Sequence, residues 1–318
     1  MENERFLLDP CTAGYLALLR SGELAKRAET ATEALRSCRL CPRGCGVDRA
    51  AGNLGFCLTG PWANVTSAFP HHGEEEALSG RRGSGTIFFN RCNLRCVFCQ
   101  NSEISQAPAG VPAAAAELAE LMLGLQAHGC HNINFVTPTH VLPQILEALV
   151  IAAMRGLHLP LVWNSGGYDA PEALALLDGI VDIYMPDFKF WEPATAKRLA
   201  NAEDYPARAR EALREMHRQT GVLCFGPGGL ARRGVLVRHL VMPGLLSESR
   251  EIFKFLSSEL SPDIFVNIMA QYHPDHHVGT QAPDGSVMYP EINRRVSREE
   301  MAEAYACARD AGLWRFDT

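Results

Sequence analysis

Three cysteines, Cys92, Cys96 and Cys99, stand in the run Phe89-Asn90-Arg91-Cys92-Asn93-Leu94-Arg95-Cys96-Val97-Phe98-Cys99-Gln100-Asn101, separated by three and then two residues. Iron–sulfur clusters are normally held by four thiolates. Three thiolates within eight residues would wrap three corners of a four-iron cluster and leave the fourth iron open to a ligand. Two plainer readings stand beside this one: a structural zinc knot with its fourth ligand elsewhere, and three unconnected thiols, since single buried cysteines are common. Three in one turn-rich stretch, with an aromatic residue just before the last, favour the cluster. Arg91 and Arg95 could offset the negative charge of a thiolate-bound cluster, or could simply lie in solvent.

A second group, Cys38, Cys41, Cys45 and Cys57, is interleaved with Gly44, Gly46, Gly52 and Gly55. A loop this polar and glycine-rich has little core of its own, so a metal-folded knuckle is the natural reading. Its spacing matches neither a standard zinc finger nor a standard ferredoxin run. Zinc, a second iron–sulfur cluster and unligated thiols therefore all stay open. Of the 11 cysteines, Cys11, Cys130, Cys224 and Cys307 are scattered and read as small core residues.

The chain has 318 residues, long enough for one large α/β barrel or two modest domains. Its apolar and charged fractions, 47% and 21%, are ordinary for a globular protein. A net charge of -6 argues against a broad electrostatic grip on nucleic acid. No run of eighteen apolar residues is present, so no membrane span is expected. Glu2 and Glu4 stand where a signal peptide needs a basic region, so a cytoplasmic location is expected. In a reducing compartment, clustered cysteines read as metal ligands rather than disulfides.

Residues 10 to 36 have apolar positions at helical spacing. The stretch from 64 to 85 reads as loop and short strands, with the acidic run Glu74-Glu75-Glu76 as a solvated face and the glycines from Gly80 to Gly85 as a tight approach into the next strand. From residue 86 strands and helices alternate, which predicts βα units and a parallel sheet. Six strands fall at 86–89, 131–136, 161–163, 181–185, 235–241 and 264–268. Asp169 with Glu172, and Ser297 with Glu300, have the spacing of capping boxes. The expected fold is α/β, a partial (β/α)6 TIM-type barrel. It carries an N-terminal helical extension over 1–36 and a Cys-rich knuckle with its connecting loop over 37–85, and the barrel itself occupies 86–318. Barrels of this kind place their site at the C-terminal strand ends, where the loop of Cys92 falls.

The other strand ends carry Thr137-Pro138-Thr139-His140, Asn164-Ser165-Gly166-Gly167, Asp187-Phe188-Lys189 and Gln271-Tyr272-His273-Pro274. Asp187 and Lys189 alternate with apolar residues, so both can point into a common cavity; a surface ion pair is the plain alternative. His273, His276 and His277 could bind a metal, although the prolines and aspartate among them suggest a loop.

The Cys-x3-Cys-x2-Cys run with Phe98 resembles the signature of radical S-adenosylmethionine (SAM) enzymes. With the Asp-x-Lys pair and the Cys-Pro-Arg-x-Cys-Gly knuckle, the chain is similar over residues 38–300 to the pyruvate formate-lyase activating enzyme-like branch. That resemblance implies a 4Fe-4S cluster on Cys92, Cys96 and Cys99 whose open iron is chelated by SAM. Reductive cleavage of SAM would then give a 5′-deoxyadenosyl radical that takes hydrogen from a substrate. It places Phe98 near the adenine, Lys189 on the SAM carboxylate, Asp187 on its amino group or on Lys189, and His273 at the ribose. Thr137, Asn164 and Ser165 match SAM-binding turns by position, though the usual Gly-Gly-Glu is absent. The implied partners are an electron donor such as flavodoxin or ferredoxin and a glycyl-radical protein, a peptide or a small molecule. The competing class is a non-catalytic iron–sulfur electron carrier or redox sensor, which would more naturally supply four protein ligands.

Overall fold

The computed structural model describes residues 4–8, 12–108 and 110–317; the reading of Cys11 as a core residue lies outside the described residues. The helical stretch expected near 10–36 forms two helices, α1 (Tyr15–Ser21) and α2 (Glu23–Glu33), followed by a 3-10 turn at Ala34–Ser37. The break is at Gly22, whose φ of 78° is a left-handed conformation that glycine alone adopts without cost. Residues 38–62 carry the cysteine knuckle with no helix or strand.

Next come β1 (Ala63–His71), α3 (Glu76–Ser79), β2 (Ser84–Phe89), α4 (Ser102–Ser105), β3 (Val111–Ala113) and α5 (Ala115–Ala127). They lead into β4 (Ile133–Val136), α6 (Leu142–Met154), β5 (Leu161–Ser165), α7 (Pro171–Ala175) and β6 (Ile183–Pro186). The second half holds α8 (Pro193–Ala200), α9 (Tyr205–Thr220), β7 (Cys224–Phe225), β8 (Ala231–Leu240) and α10 (Leu246–Phe255). It closes with β9 (Phe265–Met269), α11 (Arg298–Asp310) and β10 (Arg315–Phe316).

Strands β2, β4, β5, β6, β8 and β9 lie side by side and parallel, as the expected six βα units require. The fold is α/β, an open partial barrel. Short strands extend it beyond expectation: β10 runs parallel to β9, β7 pairs antiparallel with β8, and β1 pairs antiparallel with both β2 and β3. Strands such as Leu161-Val162-Trp163 and Ile183-Tyr184-Met185 are apolar on both faces because both faces are covered. One core lies between the sheet and its helices. A second fills the barrel's lower interior, where Val162, Ile183, Met185 and Leu236 meet Ala77 and Leu78 of α3. The glycines before β2 make the expected close approach: a Cβ on Gly85 would lie 2.6 Å from the Asn132 carbonyl oxygen.

One capping box forms and one does not. The Ser297 hydroxyl accepts from Glu300 N (3.1 Å), and Glu300 Oε2 accepts from Ser297 N (2.9 Å) at the start of α11. Asp169 does not cap α7. Its carboxylate is buried and accepts hydrogen bonds from Thr139, Trp163 and Ser165, because three buried donors outcompete an exposed helix start. Among the described residues no helix is long and apolar enough to cross a membrane.

The N-terminal helices dock through Asp182, whose carboxylate accepts from Gly14 N and Leu161 N, both at 2.9 Å. A Cβ on Gly14 would lie 2.5 Å from the Gly179 carbonyl oxygen, so glycine is what permits this approach. Tyr15, fully buried, donates to the Leu159 carbonyl at 3.1 Å, and α2 packs on α6. Asp182→Ala strands one buried and one partly buried N–H donor, and each such group costs about 1–3 kcal/mol. Urea denaturation should therefore show a loss of about 3 kcal/mol; an unchanged midpoint would mean that the helices dock without this clamp.

Candidate active site

The loop from Asn90 to Asn101 leaves the C-terminal end of β2, and its polar backbone groups must find partners outside any ladder. Elements from the whole chain supply them. Arg95 N and Val97 N donate to the carbonyls of Ala200 and Leu199 at the end of α8. Asn93 Nδ2 donates to Tyr168 O at 2.6 Å, and Arg43 Nε of the knuckle donates to Asn93 O at 2.9 Å. His140 Nε2 lies 2.8 Å from Asn90 O, Gln100 Nε2 donates to Gln271 O, and His277 N donates to Val97 O. Burial lowers His140 to about 4, so its ring is neutral and Nε2 is the donor.

Cys92, Cys96 and Cys99 line one wall of a cavity of about 840 Å³ at the barrel mouth. Burial pushes the Cys92 thiol up to about 11, against the pull of Leu94 N, 3.3 Å from its sulfur. Burial raises Cys96 too, opposed by the Lys189 ammonium. Thiols held this way ionise when a cation binds them. Three soft sulfur donors on one wall, all free of disulfides, fit a cluster with one unclaimed corner facing the cavity. Among the described residues no group of three or more His, Cys, Asp or Glu is arranged to hold a single metal ion. A four-iron cluster spreads its thiolates wider than a lone ion does.

The same cavity is lined by Thr137, Asn164, Ser165, Asp187 and Lys189. Lys189 Nζ lies 2.5 Å from Asp187 Oδ2, and Arg238 Nε of β8 lies 3.4 Å from Asp187 Oδ1. Burial opposes the charge on Asp187, and the Lys189 ammonium and Arg238 guanidinium override it, holding the carboxyl below its usual range. Burial likewise works against the Lys189 ammonium, and Asp187 holds it above its usual range. Thr137 takes a φ of 58° and donates its N–H to Asn164 O at 2.8 Å, which joins the loops after β4 and β5. The Ser165 hydroxyl is already committed to Asp169, at 2.5 Å.

Phe98 and His273 are not among the residues lining this cavity. The Phe98 ring is buried against Phe190 and Tyr272, while the His273 side chain is 39% exposed and 3.9 Å from Asp275. Arg91 and Arg95 also point elsewhere: Arg91 donates to Gln106 O, and Arg95 donates to Phe56 O while stacking on that ring. The acidic run corrects an expectation. Glu74 and Glu75 are not solvated; their side chains are 9% and 4% exposed and line the cavity. The antiparallel strand β1 carries them to the barrel, and nothing in a three-glutamate run announces that.

Two further residues with no motif hold the site in shape. The Tyr205 hydroxyl is within hydrogen-bond reach of Gly166 O (3.0 Å) and Asp187 O (2.9 Å) and accepts from Lys189 N (3.0 Å). Asp169 ties Thr139 to Ser165, and so the β4 loop to the β5 loop.

The four knuckle cysteines line one small cavity with Arg49, Thr139 and His140. Arg49, 1% exposed, takes the place of a hydrophobic centre: it donates to Thr59 O, Gly60 O and Cys38 Sγ, while Phe56 N donates to Cys45 Sγ. Burial pushes the Cys41 thiol up to about 12. Four sulfurs on one cavity, two of them accepting from N–H donors, suit a soft metal centre.

A parallel barrel with three thiols at its mouth defines a class, and comparison gives that class its name. The chain belongs to the radical SAM superfamily: the family model with that description matches residues 86–256. Members of this superfamily are enzymes that use a 4Fe-4S cluster and SAM. The uncharacterized protein MJ0674 of Methanocaldococcus jannaschii is 32% identical over 308 residues, 94% of this chain and 82% of that protein. Among solved structures, Streptococcus suis SuiB bound to precursor peptide SuiA is similar with a TM-score of 0.47 and 12% identity, over 71% of this chain and 46% of that one. Native anSMEcpe with bound AdoMet gives 0.44 and 8%, over 71% of this chain and 60% of that one. The chain thus spans less than two thirds of these solved chains.

Gly167, with φ 72°, has no room for a side chain, since a Cβ there would lie 2.1 Å from the Asp187 carbonyl oxygen. Gly167→Ala should therefore displace the Asp187–Lys189 segment and lower stability by about 2 kcal/mol or more. Equal thermal midpoints for the variant and the parent protein would contradict this packing.

Proposed function

We propose that this chain is a radical SAM enzyme whose cluster sits on Cys92, Cys96 and Cys99 and whose substrate shares the cavity at the barrel mouth. The observation that carries the proposal is the meeting of three thiols and the buried Asp187–Lys189 pair in one cavity. The bound cluster and SAM supply the chemistry: one electron cleaves SAM to methionine and a 5′-deoxyadenosyl radical, which takes a hydrogen atom from the substrate.

The chain's own residues bind and orient. Lys189 receives the SAM carboxylate, and Asp187 the amino group, while remaining poised by Arg238. Thr137 and Asn164 offer polar contacts from the neighbouring turns. Of the implied substrates, a small molecule or one side chain of a peptide fits within the cavity, whose size lies in the usual range of roughly 300–1,000 Å³; a glycyl-radical protein would reach in with a loop. The electron comes from a carrier such as flavodoxin or ferredoxin, and the enzyme works in the cytoplasm. Cys38, Cys41, Cys45 and Cys57 hold a second metal centre, zinc or another iron–sulfur cluster. The chain divides at 1–36, 37–85 and 86–318 into an N-terminal extension, a knuckle with the segment that carries β1, and the catalytic barrel.

Anaerobic reconstitution with iron and sulfide, then SAM and dithionite, should yield 5′-deoxyadenosine; none from cluster-loaded protein would favour an electron carrier instead. Cys92→Ala should lose the iron of one cluster, while Cys38→Ala should lose only the knuckle metal. Identical losses from both variants would contradict two separate centres. Lys189→Ala removes a charge-assisted contact worth about 1.5–3 kcal/mol, so SAM affinity should fall roughly ten-fold or more with the iron retained. Unchanged affinity would reject the role given to Lys189.

A further inference from the structure

Beneath the Asp187–Lys189 pair the cavity continues to an acidic floor built by the segment after β1. That strand runs antiparallel, with His71 opposite Ser84, so its end reaches the barrel at the start of the parallel strands. Asn134 Nδ2 of β4 then donates to Glu74 Oε2 (3.1 Å), and Asn267 Nδ2 of β9 donates to Glu75 Oε1 (2.9 Å). Asn134 is level with Val162 and, through it, with Ile183, four residues before Asp187. The floor is therefore deeper than the rim to which Lys189 belongs.

Charge on this floor is unbalanced. Lys189 is paired with Asp187, which leaves Arg238, among the described residues, as the guanidinium facing Glu74, Glu75 and Asp187. Its nearest approaches to the two glutamates are 3.7 and 4.0 Å, too long for hydrogen bonds. Glu76 and Asp317 line the same cavity and add further negative charge, and His71, 3.5 Å from Glu74 Oε1, is a ring that burial makes harder to protonate.

The independent sign of a missing ligand is Glu75 Oε2. It lies in a side chain 4% exposed, on the cavity wall, and meets no N–H donor; the Glu75 carboxyl instead contacts that of Glu74, the other acid of the floor. Leaving such an oxygen unpaired is costly, so the site asks for a donor that brings positive charge. Burial, then Glu75, pushes Glu74 up to about 7, consistent with a carboxyl short of a counter-cation. A bare metal ion is disfavoured there, because the Arg238 guanidinium already stands 3.7 Å from Glu75 and 4.0 Å from Glu74.

We propose that this floor binds the ammonium group of the substrate, with Glu75 Oε2 accepting one of its N–H groups and Glu74 supplying the second negative charge. The substrate class is then a primary amine, free or as a lysine side chain or peptide N-terminus. The proposal rests on the SAM reading, because it uses the depth left below Lys189.

The test is equilibrium dialysis of the anaerobically reconstituted protein, saturated with SAM, against labelled 1,5-diaminopentane, with pentanoate as the anionic control and labelled SAM measured in parallel. One diamine per chain should bind, pentanoate should not, and Glu75→Gln should weaken the diamine at least ten-fold. Glu74→Gln, which removes the second negative charge, gives a second variant should the first misfold, and should weaken the diamine several-fold. Diamine binding that both variants leave intact, or pentanoate binding as well as the diamine, overturns the proposal. Diamine failing to bind while SAM binds overturns the amine subsite alone; SAM failing to bind while the diamine binds overturns the cofactor reading and leaves the subsite standing.

Discussion

The constraint on which the structure depends is the backbone of an irregular loop. From Asn90 to Asn101 the chain has to present three sulfurs to one cavity, a task no helix or strand geometry performs, and its buried N–H and C=O groups must still be satisfied. The protein meets that need by bringing distant segments to it: α8 through Ala200 and Leu199, the β5 loop through Tyr168, the β4 loop through His140, the C-terminal loop through His277, and the knuckle through Arg43. The knuckle thus braces the cysteine loop directly, which gives a physical reason for two thiol groups in one chain. Loosening any of these elements loosens the loop.

Beyond the sulfurs, the cavity is a problem of buried charge. Asp187, Lys189, Arg238, Glu74 and Glu75 stand where an isolated ion would cost several kcal/mol, and they persist by sharing counter-charges between the end of β6, β8 and the segment after β1. Tyr205 and Asp169 do the neutral part of the same work, fixing the turns after β4, β5 and β6 relative to one another. The site is accordingly assembled before any ligand arrives, apart from the unpaired oxygen on its floor.

The sequence reading reached the parallel strands because their signal is local: short apolar runs bounded by turns, repeated with helices between them. It reached Asp187 and Lys189 because alternation along a strand end fixes which residues share a face. It did not reach β1, whose pairing with β2 is antiparallel and breaks the βα pattern, and so it left Glu74 and Glu75 in solvent. Asp169 was misread for a related reason. Its spacing to Glu172 is that of a helix cap, while its partners Thr139 and Trp163 come from other strand ends that no local spacing reveals. Phe98 and His273 show the converse limit: a motif position tells what stands nearby in the chain, not whether the ring faces the cavity or the core.

The central claim is that three thiolates hold a cluster whose remaining corner is free for SAM. Electron paramagnetic resonance of the reduced, anaerobically reconstituted protein tests it most directly. The account predicts a cluster signal that changes on addition of SAM and does not change on addition of methionine or adenosine alone. A reduced-cluster signal indifferent to SAM would contradict it.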